Sequence, residues 1–278
     1  MNVRKSITDT LSFAVLIVIT LIVIFPIWWI FRSSLMNNAE LYAWPPKLFP
    51  RDWLFSNYTE ALKSFPFWRY LANTMIIIVP SVLGGTFTAT LCGYAFARLR
   101  FPGKKLLFSL CVGSMLLPTM VTLIPLYVMW TRGLHLVDSY LPLILPFFCG
   151  GGAFNIFLIR QFINTIPREL DEAARIDGAG HWTILTRIIV PAIKPAMVVV
   201  ALLLFIQLWN DLLQQTVYIN STEKFTIAIG LTQFKGSLYS DWAKIMCATC
   251  MAFVPGIIFY LIGQKQFVEG IVLTGMKN

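Results

Sequence analysis

Six long apolar runs alternate with shorter polar stretches along the chain, near residues 11–31, 73–97, 106–130, 140–159, 192–213 and 243–263. Each is about 20 residues or longer, which at about 1.5 Å of rise per residue crosses a hydrocarbon core roughly 30 Å thick. The runs are continuous rather than strictly alternating, and spanning backbone must satisfy its own hydrogen bonds, so the pattern predicts helices rather than a lipid-facing barrel. The expected fold is all-α: a polytopic membrane bundle of six transmembrane helices. No linker, low-complexity tract or internal repeat interrupts it, which predicts a single domain over residues 1–278.

Between the first two runs, segment 32–72 carries Trp44-Pro45-Pro46 and the aromatics Trp53, Phe55, Tyr58, Phe65, Phe67 and Trp68. It predicts a long external loop, with Tyr58 to Leu71 as an amphipathic helix at the interface, where aromatic rings favour the headgroup layer. As a surface feature it serves equally as a brace for the bundle or a contact for an external partner. The third run contains Pro118 and Pro125, and the fourth opens with Leu141-Pro142 and Leu145-Pro146 before Gly150-Gly151-Gly152. Such breakers are tolerated where neighbouring helices or a cavity re-satisfy the backbone; each proline is otherwise a simple kink. Beyond the fifth run, an external loop reaches Asp241, and its Thr226–Phe234 portion is mostly apolar, suited to re-entry or docking. The first run is too long for the apolar core of a signal peptide, and Arg32-Ser33-Ser34 offers no cleavage pattern, so it is expected to remain as an anchor.

Composition agrees with a membrane class: 57% hydrophobic, 13% charged, mean hydropathy +0.72. The net charge of +9 is distributed by membrane side rather than gathered into one stripe, which argues against nucleic acid as a partner. Arg98, Arg100, Lys104 and Lys105 crowd one tight turn, and Arg160, Arg168, Arg175, Arg187 and Lys194 crowd another segment on the same side as Arg4, Lys5, Lys265 and Lys277. Positive residues mark the cytoplasmic face, so both termini are expected there. The five cysteines (Cys92, Cys111, Cys149, Cys247, Cys250) all fall in apolar runs, an odd count without an extracellular pairing pattern. Cys247 and Cys250 have CxxC spacing, but a closed zinc site needs four ligands, and His135 and His181 are distant in sequence. No metal site is expected.

The most distinctive stretch is polar. Residues 167–191 interrupt the membrane-grade sequence with Pro167, then Glu169, Asp171 and Glu172, then Arg175, Asp177 and Gly178. Pro167 suits a helix start, the carboxylates suit the positive end of the helix dipole, and Gly178 suits a helix end. The pattern predicts a short helix, a turn and a second short helix. Ala173 and Ala174 allow a partner to approach closely, while Arg175 and Asp177 offer polar contacts. On helix signals alone, a loop cap without a partner explains the stretch equally well.

Glu172-Ala173-Ala174, Gly178 and Val190-Pro191 together resemble the cytoplasmic coupling loop of ABC-importer permeases, and GYAFARLRFPGKK at 93–105 resembles a turn found in the carbohydrate branch of that family. The tail 263–278 resembles that of the maltose-type second permease, which folds back against the ATPase. The resemblance covers nearly the whole chain and implies the type I importer permease fold. It implies a binding-protein-dependent inner membrane component of a bacterial or archaeal cytoplasmic membrane, with Glu172, Ala173, Ala174, Arg175, Asp177 and Gly178 engaging an ATP-binding subunit. The implied partners are a homologous second permease forming a heterodimer, two ATP-binding subunits, an extracytoplasmic sugar-binding protein and membrane lipid. The chain binds no cofactor in this picture; ATP and Mg belong to the partner ATPase.

The rest of the sequence is consistent with a non-enzyme. There is no GxxxxGK[ST] phosphate cradle, HExxH or GxSxG string. An ion-coupled secondary transporter is the rival reading, but such proteins keep ionisable relays in the membrane. Here the runs are nearly free of them, with Asp211 near one end. A neutral solute would instead meet hydrogen-bonding and stacking groups, for which Asn155, Gln207, Trp209 and Asn210 are the candidates. The same groups equally suit bonds between helices.

Overall fold

The computed structural model describes residues 2–64, 66–233 and 241–275, with side chains from residue 11 to residue 264 within those ranges. Of the 263–278 tail, the backbone to Gly275 continues the last helix, while its side chains beyond residue 264, residues 276–278 and Phe234 lie outside the described residues. Among the described residues the regular structure is all helical, without strands. Helix α1 covers Asn2–Ser34, α2 Asn38–Leu41, α3 Ser56–Ser64, α4 Phe67–Arg98, α5 Lys104–Ser114 and α6 Thr119–Val128. Next come α7 Leu141–Ile144, α8 Ala153–Thr165, α9 Glu169–Ile176, α10 His181–Ile184, α11 Val190–Ala192 and α12 Lys194–Trp209. The last three are α13 Leu213–Tyr218, α14 Ile227–Gln233 and α15 Trp242–Gly275.

Among the described residues four stretches are long and apolar enough to cross a membrane: Leu11–Ser34, Phe67–Arg98, Leu141–Thr165 and Trp242–Gln264. The two remaining runs are present as bent pairs. Lys104–Ser114 and Thr119–Gly133 meet at 101°, and His181–Ala192 and Lys194–Trp209 meet at 77°; counting each pair as one span gives 6. Proline accounts for the bends. Pro118 has extended backbone (ψ 134°) where a straight helix would continue. Pro195, in the first turn of α12, has no N–H for the carbonyl of Pro191 and sterically opposes it. The single interfacial helix expected over Tyr58–Leu71 is also divided, into α3 and the start of α4, with non-helical Pro66 between them.

By contacts the chain forms two units, residues 1–67 with 230–255, and residues 68–229 with 256–278. In the first, the end of α1 is buried: Arg32, Ser33 and Ser34 are inaccessible, and the Arg32 guanidinium lies 3.7 Å from the Trp29 ring centroid. Ser34 bonds Tyr58 at 2.8 Å, and Cys247 Sγ donates to the Ser34 carbonyl at 3.2 Å. The cysteine thus acts as a small packing residue.

The second unit holds the main core. Ile78, Val82 and Ala89 of α4 pack with Ile159 and Ile163 of α8 and with Ala196, Val200, Leu204 and Phe205 of α12. Where the fourth span breaks between α7 and α8, α4 supplies the missing bonds: Thr88 Oγ1 accepts from the Gly150 N–H at 3.1 Å. Gly151, at φ +64°, lies so close to α4 that an added Cβ would stand 2.5 Å from the Gly85 carbonyl oxygen. A side chain there would drive the two segments apart.

Candidate functional site

The polar stretch folds as its local signals predict. Glu169, Asp171 and Glu172 occupy the first turn of α9 and Arg175 the last, an arrangement that complements the helix dipole. The helix ends in a Schellman turn. The Gly178 N–H bonds the Arg175 carbonyl at 3.0 Å and the Ala179 N–H bonds the Ala174 carbonyl at 2.8 Å, closing the last turn around a residue at φ +80°. Nothing lies within 4 Å of a Cβ built on Gly178, so glycine is required by backbone conformation and not by crowding. The chain then enters α10, followed by a π-helical turn at Leu185–Ile189 that delivers it to Pro191.

The inner face of this helix–turn–helix is held by the end of α4. Asp171 is buried, and its Oδ2 lies 2.8 Å from Arg98 Nε. The same guanidinium donates to the Ile166 carbonyl at 2.7 Å. One turn earlier on α4, Tyr94 donates to the His181 carbonyl at 3.3 Å. Two side chains on one face of α4 therefore grip the starts of both short helices. Ala174 and Ala179 pack against the main core from the same side.

The outer face is left open. Glu172, Ala173, Arg175, Asp177 and Gly178 are exposed, and so are the apolar side chains of Leu170, Ile176 and Trp182, with Ile176 at 87%. Of the coupling candidates, only Ala174 turns inward. Small, apolar and charged groups alternating on a surface left exposed among the described residues are suited to docking a second protein. Asp171 and Arg98 were not singled out by sequence reasoning as a pair: one resembled a dipole-matched carboxylate and the other a topology-setting cation.

The structure does not assemble the four solute-path candidates into one cluster. Asn155 is buried and donates to the Gly151 carbonyl at 2.6 Å, supporting the break before α8, while its Oδ1 has no partner. Trp209 stacks on Phe205, with centroids 5.5 Å apart. Gln207 and Asn210 are exposed, and Asn210 bonds the Ile206 carbonyl at 2.8 Å. Among the described residues none of the four bonds another.

A feature absent from the sequence reading lies on the opposite side of the span. Asp138, at φ +50°, accepts from the backbone N–H groups of Asn220 (2.8 Å) and Ser221 (3.0 Å), from the Ser221 hydroxyl, and from Lys224 Nζ at 2.9 Å. These bonds, with the Ser221 hydroxyl's first among them, hold the carboxyl well below the usual range. Tyr140 adds a bond to the Lys224 carbonyl at 3.0 Å. Asn73 donates to the carbonyls of Glu223 and Phe225 at 2.8 and 2.9 Å. The loop after α13 is thereby fastened to the segment before α7 and to α4.

Comparison with known proteins agrees with this architecture. The model of the family described as "Binding-protein-dependent transport system inner membrane component" matches residues 81–267, a range that includes the helix–turn–helix and the core around it. The chain belongs to that family. The permease is 30% identical over 263 residues to the arabinooligosaccharides transport system permease protein AraQ of Bacillus subtilis, covering 94% of this chain and 92% of the relative. It is 28% identical over 267 residues to the diacetylchitobiose uptake system permease protein NgcG of Streptomyces coelicolor, covering 95% and 87%. Its fold is similar to a chain of a bacterial ABC transporter involved in import of the acidic polysaccharide alginate, with a TM-score of 0.82, 26% identity and coverage of 95% and 98%.

Proposed function

We propose that the permease forms half of the translocation pathway of an ATP-driven carbohydrate importer and is driven by a cytoplasmic ATP-binding subunit docked on α9 and α10. The observation carrying this reading is the helix–turn–helix whose inner face is gripped by Arg98 and Tyr94 while its outer face is open. A load applied to that outer face has a direct route into α4, one of the helices of the main core. Membership of a binding-protein-dependent transport family and the sugar-named relatives support the substrate class.

In this reading the partners are a homologous second permease, two ATP-binding subunits that bind ATP and Mg, and an extracytoplasmic binding protein. The termini and residues 160–194 lie in the cytoplasm, in keeping with the basic residues there. Glu172, Ala173, Arg175, Asp177 and Gly178 meet the ATP-binding subunit, while Ala174 packs behind them. Asn155, Gln207, Trp209 and Asn210 remain candidates for the solute path, Asn155 through its unpartnered Oδ1. Nothing supports an ion-coupled cycle, for which a relay is wanting among the described residues. Among the described residues the buried charged groups are Arg32, Glu40, Arg98 and Asp171, each at or beyond the end of a span.

The test is to purify the chain with its associated proteins, return it to membranes, and measure which oligosaccharides stimulate ATP hydrolysis. Stimulation by a sugar is expected. Insensitivity to sugars, together with stimulation by peptides or ions, would overturn the substrate class.

A further inference from the structure

A cavity of about 700 Å³ opens where the inner ends of the second and fourth spans meet the start of the third, lined by Phe96, Arg98, Lys104, Arg160, Arg168 and Glu169 among others. Four cations and one carboxylate share it. Among the described residues only Arg98 is in an ion pair, with Asp171, which lies behind it. Lys104 Nζ bonds the Leu99 carbonyl at 2.8 Å. Arg160 bonds the Phe96 carbonyl at 3.3 Å, with its guanidinium 4.0 Å from the Phe108 ring centroid. Neither Arg168 nor Glu169 has a side-chain hydrogen bond or ion pair among the described residues.

Three cations without an ion-pair partner among the described residues, set against the single carboxylate of Glu169, leave the cavity net positive and point to an anion that completes it. Position narrows its identity. Lys104 is the first residue of a spanning pair and Arg160 lies near the end of the span Leu141–Thr165, so the cavity sits at the boundary between hydrocarbon and water. Phe96 and Phe108 pack with centroids 5.3 Å apart beside it. One turn beyond Lys104, α5 exposes Leu107 and Leu110, an apolar track leading away from the cavity along the membrane. Cations at the base and apolar side chains above match the two ends of a phospholipid.

We propose that this cavity is a phosphate-recognising site for an anionic phospholipid headgroup, with Lys104, Arg160 and Arg168 supplying the charge and Leu107 and Leu110 receiving an acyl chain. Guanidinium groups favour phosphate because their planar N–H fork matches its oxygens. The site depends on the membrane around the permease rather than on its transported solute, so the test stands independently of the importer reading.

The permease, purified with whatever subunits accompany it, is placed in nanodiscs of phosphatidylcholine doped with phosphatidylglycerol, and the lipid retained after mild extraction is counted by native mass spectrometry. The wild type is expected to retain phosphatidylglycerol in preference to phosphatidylcholine. A cation near an anionic surface is worth on the order of fivefold in affinity, so Lys104→Gln with Arg160→Gln should lower retention by about twenty-five-fold. Arg187→Gln, exposed on the same face of the membrane but away from the cavity, should leave retention unchanged. Equal retention of both lipids by the wild type would overturn the proposal without any variant needing to fold. Displacement of phosphatidylglycerol by millimolar inorganic phosphate would assign the cavity to a free anion and overturn the lipid assignment. Loss of an associated subunit from the double variant with an unchanged lipid count would assign it to a protein contact, with the same consequence.

Discussion

A single carboxylate shows how much local order one residue can impose. Asp138 collects its bonds from Asn220, Ser221 and Lys224, and its carboxyl is held below the ordinary range by them. A carboxyl depressed in the folded state contributes stability that is fully present above its unfolded value of about 4 and is lost as pH falls through the folded value. The loop fastening should therefore be insensitive to pH through the neutral range and release only in strong acid. Asp138→Asn should free the segment at neutral pH, read as faster amide exchange at residues 219–225 with unchanged exchange in α8. A second residue-scale prediction concerns the solute path. Trp209→Ala or Asn210→Ala should lower sugar uptake more than the amount of intact complex, since Asn210 is exposed and bonds only its own helix. Uptake falling in proportion to complex would make both residues structural, as interhelical bonding also requires.

At the scale of elements, the apolar runs were legible because hydropathy is a sum over many residues, and the runs at 73–97 and 243–263 lie within unbroken helices. The bends at 101° and 77° were not legible. Pro118 and Pro195 announce a kink, but the angle depends on what packs on either side of it. The short helices of the polar stretch were legible for the opposite reason: dipole-matched carboxylates and a left-handed glycine act within a single turn. What holds them was hidden, since Arg98 and Asp171 are far apart in sequence and each had a sufficient local explanation. Their pair is buried on both sides, so Asp171→Ala leaves an unpaired guanidinium and should cost about 3–5 kcal/mol. The expected outcome is correct insertion with a lowered melting temperature and weakened hold on α9, checked by thermal denaturation and proteolysis of 167–180. Orientation can be checked on exposed positions. Single cysteines replacing Glu223 and Asp177 in a cysteine-free background should react with an impermeant reagent from outside and inside respectively. External labelling of both positions would reject the topology.

Across the whole molecule, the end of α4 ties the membrane core to the helix–turn–helix of α9 and α10. In the proposed function the outer face of α9 and the turn at Gly178 carry the drive from ATP. Gly178 has open space around it but a left-handed backbone, so Gly178→Val costs roughly 1–2 kcal/mol in local conformation and disturbs the turn rather than the core. Glu172→Lys reverses charge on the exposed face at a helix start, where a cation is unfavourable. The decisive measurement is sugar-stimulated ATP hydrolysis in proteoliposomes, with the amounts of inserted permease and associated ATP-binding subunit determined in the same samples. Normal insertion with lost stimulation or lost association in both variants is the predicted result. Wild-type hydrolysis and transport in both would contradict the claim.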